Sequence, residues 1–381
     1  MLTMTRTNEC SAQSPCLLLA FELGRRTWKL GFTVGMGQRP RCRQIPAGGV
    51  GVLASEIFRA KARLGLPVDA SVVSCYEAGR DGFWLHRYLV AQGIMNHVVD
   101  SSSIEVNRRA RRSKTDRLDL AGLLNLLARY IQGDRRVWHV VRVPTAAEED
   151  ARQLSRTLET LSQDRTRLIN RLKALLATQG VWLEPDAKFL DELKAARLWD
   201  GTPVLAGLHE RLALDWAQLQ QVDTQLRELK ATRRARRREL APLTGRALTQ
   251  LQGLRGIGAG GAWVLATELF GWRHIRNRRE LGALVGLVPA LYQSGESQHD
   301  LGITRAGNTH VRRIMVQLAW GWLRFQPESA LSLWYQRRFS SGKRLRRIGI
   351  VALARKLLVA LWRYLETGTV PEGAELKPIR A

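Results

Sequence analysis

The sequence has no long apolar run. The longest near its start, Cys16 to Phe21, is stopped by Glu22. A bilayer-spanning helix needs roughly 18 uninterrupted apolar residues. The run is also too short for a secretory signal core, and no small-residue cleavage site follows it. A membrane partner is therefore not expected, and the chain reads as cytoplasmic. Cysteine is scarce as well. Cys10, Cys16, Cys42 and Cys75 form no CxxC pair, and no histidine stands near them at zinc-ligand spacing. That pattern excludes a disulfide framework and a thiolate zinc site, leaving ordinary thiols. The third shortage is acid: 34 Asp and Glu stand against 60 Lys and Arg, a net charge of +26. A field of that sign draws polyanions, nucleic acid before an anionic membrane surface. With 45% hydrophobic and 25% charged residues, disorder over most of the chain is excluded. A length of 381 residues suits two or three domains.

What is present begins as strand patterning. Leu17, Leu19 and Phe21 alternate with Leu18, Ala20 and Glu22, so a first strand ends at Glu22. Trp28 to Val34 reads as a return strand, and Arg41 to Ile45 as a third. A helix fits Val52 to Leu64, a strand Ser71 to Tyr76 ending at Glu77, a helix Gly82 to Gln92, and a short strand His97 to Asp100. Asp116 to Ile131 is a strong helix, with Leu120, Leu123, Leu124 and Leu127 at helical spacing. The order β-β-β-α-β-α-β-α is that of ribonuclease-H-like folds.

The middle of the chain changes rhythm. Leu154, Leu158, Leu161, Leu168, Leu172 and Leu175 step by fours and threes, broken by Arg165. Leu208, Leu212, Leu219, Val222, Leu226 and Leu229 repeat the pattern, broken by Asp215. Two such stretches predict two long coiled-coil helices, as a hairpin or a dimer seam. Gly180, Pro185, Gly201 and Pro203 separate them, and the basic run Arg233 to Arg238 closes the second. Beyond Pro242 and Gly245 lies a second compact region, mostly helical and rich in Gly, Arg and Trp. After Gly368 a frayed tail is expected. The predicted domains are 16–145, a helical linker 146–240, and 241–370.

Four carboxylates stand out by position. Glu22 and Glu77 close strands, while Asp116 and Asp119 sit three apart at a helix start. In a ribonuclease-H-like sheet these places converge. Clustered carboxylates need cations, and a hard divalent ion with oxygen ligands is the natural one for phosphodiester attack. Taken singly, Asp116 reads equally as a helix cap and Glu77 as a loop acid. The preceding loop carries Arg108, Arg109, Arg111, Arg112 and Lys114, suited to a nucleic-acid backbone. Further on, Gly256-Ile257-Gly258 precedes a helix predicted over Gly261 to Phe270. It resembles a helix-hairpin-helix element, whose backbone N–H groups hold phosphates. Ser294 sits in a polar loop before Gly295, and Arg305, Asn308, Arg312 and Arg313 follow. A serine there can attack a phosphodiester if arginines steady the charge, although loop serines are usually turn residues.

Cys75-Tyr76-Glu77-Ala78-Gly79, then Lys114-Thr115-Asp116-Arg117-Leu118-Asp119, then Gln293-Ser294-Gly295 with Gly302-Ile303-Thr304-Arg305-Ala306-Gly307-Asn308, together resemble one family. It is the DEDD transposases of bacterial insertion sequences, also described as bridge-RNA-guided serine recombinases. The resemblance spans roughly residues 16 to 365. It implies a RuvC-like N-terminal domain holding Mg2+ (or Mn2+) on Glu22, Glu77, Asp116 and Asp119. It implies a C-terminal domain whose nucleophile is Ser294, completed by a second subunit in a dimer or tetramer. The partners would be double-stranded DNA, at element ends and target, and a structured guide RNA. Strand exchange would pass through a phosphoserine intermediate. The family's first acid is an aspartate, whereas Glu22 reaches one methylene further, and Ser297 stands three residues from Ser294. Two other readings of the same residues are a metal-only junction nuclease and an inactive nucleic-acid-binding relic.

Overall fold

A computed structural model describes residues 15–104, 116–294, 297–339 and 342–378. The chain divides into two compact units, residues 1–144 and 145–381.

In the first unit the strands are β1 (Cys16–Leu23), β2 (Thr27–Thr33) and β3 (Arg41–Pro46). Then come helix α1 (Val50–Arg63), β4 (Ser71–Glu77), α2 (Trp84–Ala91), β5 (Met95–Val99) and α3 (Asp116–Ile131). This is the element order that the alternation of apolar residues predicts. The strands form one mixed sheet in the order β3-β2-β1-β4-β5. β1 and β2 pair antiparallel, as do β2 and β3, while β1, β4 and β5 run parallel. β1 is central and covered on both faces, which is why it reads as an unbroken apolar run.

The two faces have separate cores. Leu17, Leu19 and Phe21 pack with Leu53 and Ala60 of α1 and Leu85 and Leu89 of α2. Leu18, Ala20, Val73 and Cys75 pack with Leu120, Leu123, Leu124 and Leu127 of α3. Each buried leucine stabilises the fold by roughly 1.5–3 kcal/mol. α3 comes close because Gly31 of β2, opposite Ala20, has no side chain: a Cβ there would lie 3.0 Å from Leu124 Cδ1. Burial holds the Cys75 thiol well above its ordinary range, with the charge of Glu77 as the second cause.

The second unit opens with a short helix α4 (Ala146–Asp150), capped by a Thr145/Glu148 capping box. α5 (Gln153–Ala177), α6 (Phe189–Ala195) and α7 (Ala206–Ala235) follow. α5 and α7 run antiparallel, as their ion pairs show: Arg165 meets Asp223 at 2.6 Å, and Arg171 meets Asp215 at 2.6 and 2.8 Å. The two residues that interrupt the apolar rhythm, Arg165 and Asp215, are thus seam positions filled by charge pairs. Apolar contact resumes on either side. Leu168, Leu172, Leu212 and Leu219 form one cluster, and Leu154, Leu158 and Leu226 join the core of the C-terminal helices.

Those are α8 (Pro242–Gly253), α9 (Ala259–Leu265) with a π-helical turn at Ala266–Phe270, and α10 (Arg278–Val285). A hairpin of β6 (Pro289–Ser294) and β7 (Ser297–Ile303) comes next, then α11 (Thr309–Phe325), α12 (Ala330–Phe339) and α13 (Lys343–Thr367). α13 places Ile350, Leu353, Ala354, Leu357, Leu358 and Leu361 in the core at helical spacing.

The structure departs from three of the expectations. The segment expected as a polar loop around Ser294 is a strand hairpin. The helix expected over Gly261 to Phe270 begins two residues earlier and becomes a π-turn at Ala266. The tail beyond Gly368 is tied down: Arg255 N–H donates to the Glu375 carbonyl (3.1 Å), and Lys377 N–H to the Gly253 carbonyl (2.7 Å). Lys377 Nζ donates to the carbonyls of Gln252 and Ile257, at 2.7 and 2.8 Å. These bonds join residues more than a hundred apart, which no local pattern announces. Among the described residues no helix is long and apolar enough to cross a membrane.

Candidate functional site

The carboxylates of the first unit are set by strand register. Phe21 of β1 lies beside Tyr76 of β4 in the parallel pair, so the next residues, Glu22 and Glu77, are neighbours at the same sheet end. Parity decides their face. Leu18 and Ala20, and Val73 and Cys75, all point into the α3 layer. Glu22 and Glu77 continue those two rows, so both acids stand on the side covered by α3. Glu22 is half-buried, Glu77 is exposed, and Lys29 of β2 lies opposite Glu22.

α3 supplies the other side. Asp119 is half-buried and lies one turn before Leu123, which is buried against the sheet. It therefore belongs to the stripe that faces β1 and β4. Asp116 is the first residue of α3, but its side chain lies outside the described residues. Arg108, Arg109, Arg111, Arg112 and Lys114 also lie outside them. Among the described residues no group of three or more His, Cys, Asp or Glu forms a ready metal cage. Glu22, Glu77 and Asp119 nonetheless offer only oxygen donors and come from two facing layers. That donor chemistry fits a hard divalent cation and does not fit a soft one.

In the second unit the backbone places Ser294 at the end of β6, paired in register with Ser297 at the start of β7. Their side chains lie outside the described residues. The segment that follows holds Arg305, exposed and in a left-handed conformation with φ +54°. Asn308 caps α11. Its Oδ1 accepts from Val311 N–H at 3.1 Å, and its Nδ2 donates to Glu268 at 3.0 Å. Arg312 donates to the carbonyls of Val285 and Ala306, at 3.0 and 3.2 Å. Arg313 pairs with Glu159. Asn308, Arg312 and Arg313 thus hold the start of α11 in place.

These bonds belong to a network that the sequence pattern does not reveal. Glu268, 1% exposed, sits in the π-turn. Arg156 of α5 grips it with two bonds, Nε at 2.7 Å and Nη2 at 3.1 Å. That hydrogen bonding raises the Arg156 pKa. His310 meets Glu159 beside Arg313. Burial, then the charges of Arg313 and Arg156, lower the His310 pKa to about 4, so the ring is neutral at pH 7. Single-turn π-helices are frequent at functional sites. The one signal for Glu268 in the sequence is an acid inside an otherwise apolar helix.

The glycine turn is closely packed at one position. Gly256 has φ +87°, and a Cβ there would lie 3.3 Å from Phe325 Cβ. Gly258 is the N-cap of α9. Arg233, half-buried near the end of α7, approaches Gly260, where a Cβ would lie 3.4 Å from its Nη1. The last three arginines of that run, Arg236, Arg237 and Arg238, form an exposed turn.

Comparison with known proteins adds an independent line. A model described as a transposase, for the DEDD domain of the IS110 group, matches residues 58–179. A second, described as the transposase IS116/IS110/IS902 family, matches residues 248–333. The Sinorhizobium fredii protein y4rJ, whose name carries a provisional transposase designation, is 39% identical over 379 residues, covering 95% of this chain and 94% of its own. The transposase for insertion sequence element IS1111A of Coxiella burnetii is 24% identical over 291 residues, 74% of each chain. The transposase for insertion sequence element IS1328 of Yersinia enterocolitica is 25% identical over 239 residues, 61% of this chain and 67% of its own.

Proposed function

Because the chain belongs to the IS116/IS110/IS902 family of transposases, we propose that it cuts and rejoins DNA with two sets of groups. One is a divalent-cation site on Glu22, Glu77, Asp116 and Asp119, in a ribonuclease-H-like domain. The other is a nucleophilic serine, Ser294. The observation that carries the reading is the register of β1 and β4, which sets Glu22 and Glu77 side by side on the face that α3 covers.

Mg2+ or Mn2+ bound there supplies charge neutralisation for a phosphodiester under attack. The protein's own part is to hold carboxylates from two strands and one helix in register, so that no large rearrangement is needed when charge develops. At Ser294 the hydroxyl oxygen forms a bond to phosphorus while the bond from phosphorus to the leaving deoxyribose oxygen breaks. The serine proton leaves, and the departing oxygen takes one up. The phosphoserine ester conserves the bond energy, and attack by a second DNA hydroxyl rejoins the strand and frees the serine. The basic residues Arg108, Arg109, Arg111, Arg112, Lys114 and Arg305 contact the backbone, together with the turn at Gly256 and Gly258. Target choice by a structured guide RNA, and action as a homo-oligomer, complete the proposal.

The test is a covalent trap. Full-length protein, co-purified RNA and labelled DNA spanning the element ends are incubated with Mg2+ and run on a denaturing gel. The expected result is a protein–DNA adduct that disappears in Ser294→Ala and in Asp119→Asn but persists in Ser297→Ala. Cleavage without an adduct, unchanged by Ser294→Ala, would make the protein a metal-only nuclease.

A further inference from the structure

The face of the sheet opposite α3 carries a second concentration of charge, of the other sign. β3 is an edge strand, and Arg41 and Arg43 share its parity with Ile45, which is buried in the core shared with α1 and α2. Glu56 of α1 is buried beneath them. It accepts from Arg41 Nη2 at 3.0 Å and Arg59 Nη1 at 2.8 Å, and lies 3.6 Å from Arg43 Nε. Arg63, one turn beyond Arg59 on α1, adds its field at Arg41. Burial lowers the Arg41 pKa, and repulsion from Arg43 is the next cause. Glu56 alone among the named neighbours acts in the opposite sense.

One carboxylate therefore holds three guanidiniums beside a fourth and cannot neutralise them. The outer ones are open to solvent, with side chains 53% exposed at Arg43 and 67% at Arg59. A solvated salt-bridge cluster would balance its charges, whereas this one fixes the arginines and leaves them in excess. Fixed guanidinium forks match the oxygens of a phosphodiester, and fixing them in advance removes part of the entropy lost on binding.

We propose that Arg41, Arg43 and Arg59, organised by Glu56, together with the neighbouring Arg63, form a binding surface for a nucleic-acid phosphodiester backbone, on the sheet face opposite the carboxylates. The inference rests on the reading of the protein as an enzyme of nucleic acids. The backbone comes from duplex DNA or from structured RNA, and the experiment separates the two.

The experiment is fluorescence anisotropy on the full chain, with a labelled DNA duplex and a labelled RNA hairpin, each titrated across about 50–300 mM salt. The variant Arg43→Ala/Arg59→Ala/Arg63→Ala is compared with a control of equal charge loss, Arg136→Ala/Arg227→Ala/Arg278→Ala. The surface variant is expected to bind at least one probe about tenfold more weakly, with the slope of log affinity against log salt reduced by about 2, while the control changes little. The probe affected identifies the source of the backbone. Arg59→Glu, a single exposed change, gives the same reading if the triple variant unfolds early. Glu56→Gln is expected to weaken binding although it raises the net charge, because the arginines lose their anchor. Affinities and slopes equal in the surface variant and the control would overturn the proposal. A wild-type protein with a flat salt response to both probes would overturn the nucleic-acid reading itself, and is distinguishable for that reason.

Discussion

Two sets of acids, one in each unit, differ in what surrounds them. In the second, Glu268 is buried and gripped by Arg156 and Asn308, and Glu159 is flanked by His310 and Arg313. In the first, Glu22 and Glu77 are neighbours at one sheet end, and Asp119 on the facing helix adds a third negative group on that side. A buried acid matched by cations from its own chain is architecture, and losing one partner leaves a charge out of water. Acids set side by side at strand ends repel one another, and the proposed cation site draws on that placement. The comparison sets carboxylates that hold the fold apart from those proposed to bind the cation.

The largest expected effect is on the chemical side. Glu77→Gln or Asp119→Asn should lower strand-transfer activity by about a thousandfold, the size of several kcal/mol of lost charge stabilisation. Because Glu77 is exposed, its melting temperature should stay close to wild type; a large drop would make it a structural acid. Arg156→Ala should do the reverse, destabilising the second unit by about 3–5 kcal/mol because Glu268 is left buried without its cation. Urea unfolding measures this, and Arg156→Met combined with Glu268→Met should recover most of the loss.

A smaller effect tests the layer that places Asp119. Gly31→Val should push α3 away through Leu124, at a loss of about 1–3 kcal/mol, with a lowered melting temperature as the readout. The smallest concerns pH. The folded-state pKa of His310 is about 4 against an ordinary value of 6.5, so the unfolded chain binds more protons between those values. The contribution is fully present above about pH 6.5 and is lost as pH falls toward 4, by at most about 1.4 kcal/mol per pH unit. His310→Asn should flatten the stability profile in that window, and an unchanged profile would show that the ring is not held neutral.

Legibility followed the range of the interactions. Strand alternation in Leu17 to Glu22 and helical spacing in Leu120 to Leu127 are local, and they yielded the element order of the first unit together with the positions of Glu22, Glu77 and Asp119. Arg165 and Asp215 read as faults in an apolar rhythm because their partners, Asp223 and Arg171, lie on the other helix of the pair. The π-turn at Glu268 was invisible for the same reason, since Arg156 lies 112 residues away. The last residues resembled a loose tail because Lys377 finds its carbonyls across the fold. The Ser294 segment is polar enough to read as a loop, yet cross-strand pairing from Pro289 to Ile303 makes it a hairpin.

The most direct test of the distinction is Mn2+ binding, followed by electron paramagnetic resonance on full-length wild type, Glu77→Gln and Glu268→Gln. Glu77→Gln should weaken or abolish binding, and Glu268→Gln should leave it unchanged. Binding lost in Glu268→Gln and retained in Glu77→Gln would contradict the assignment of the strand-end carboxylates as the cation site.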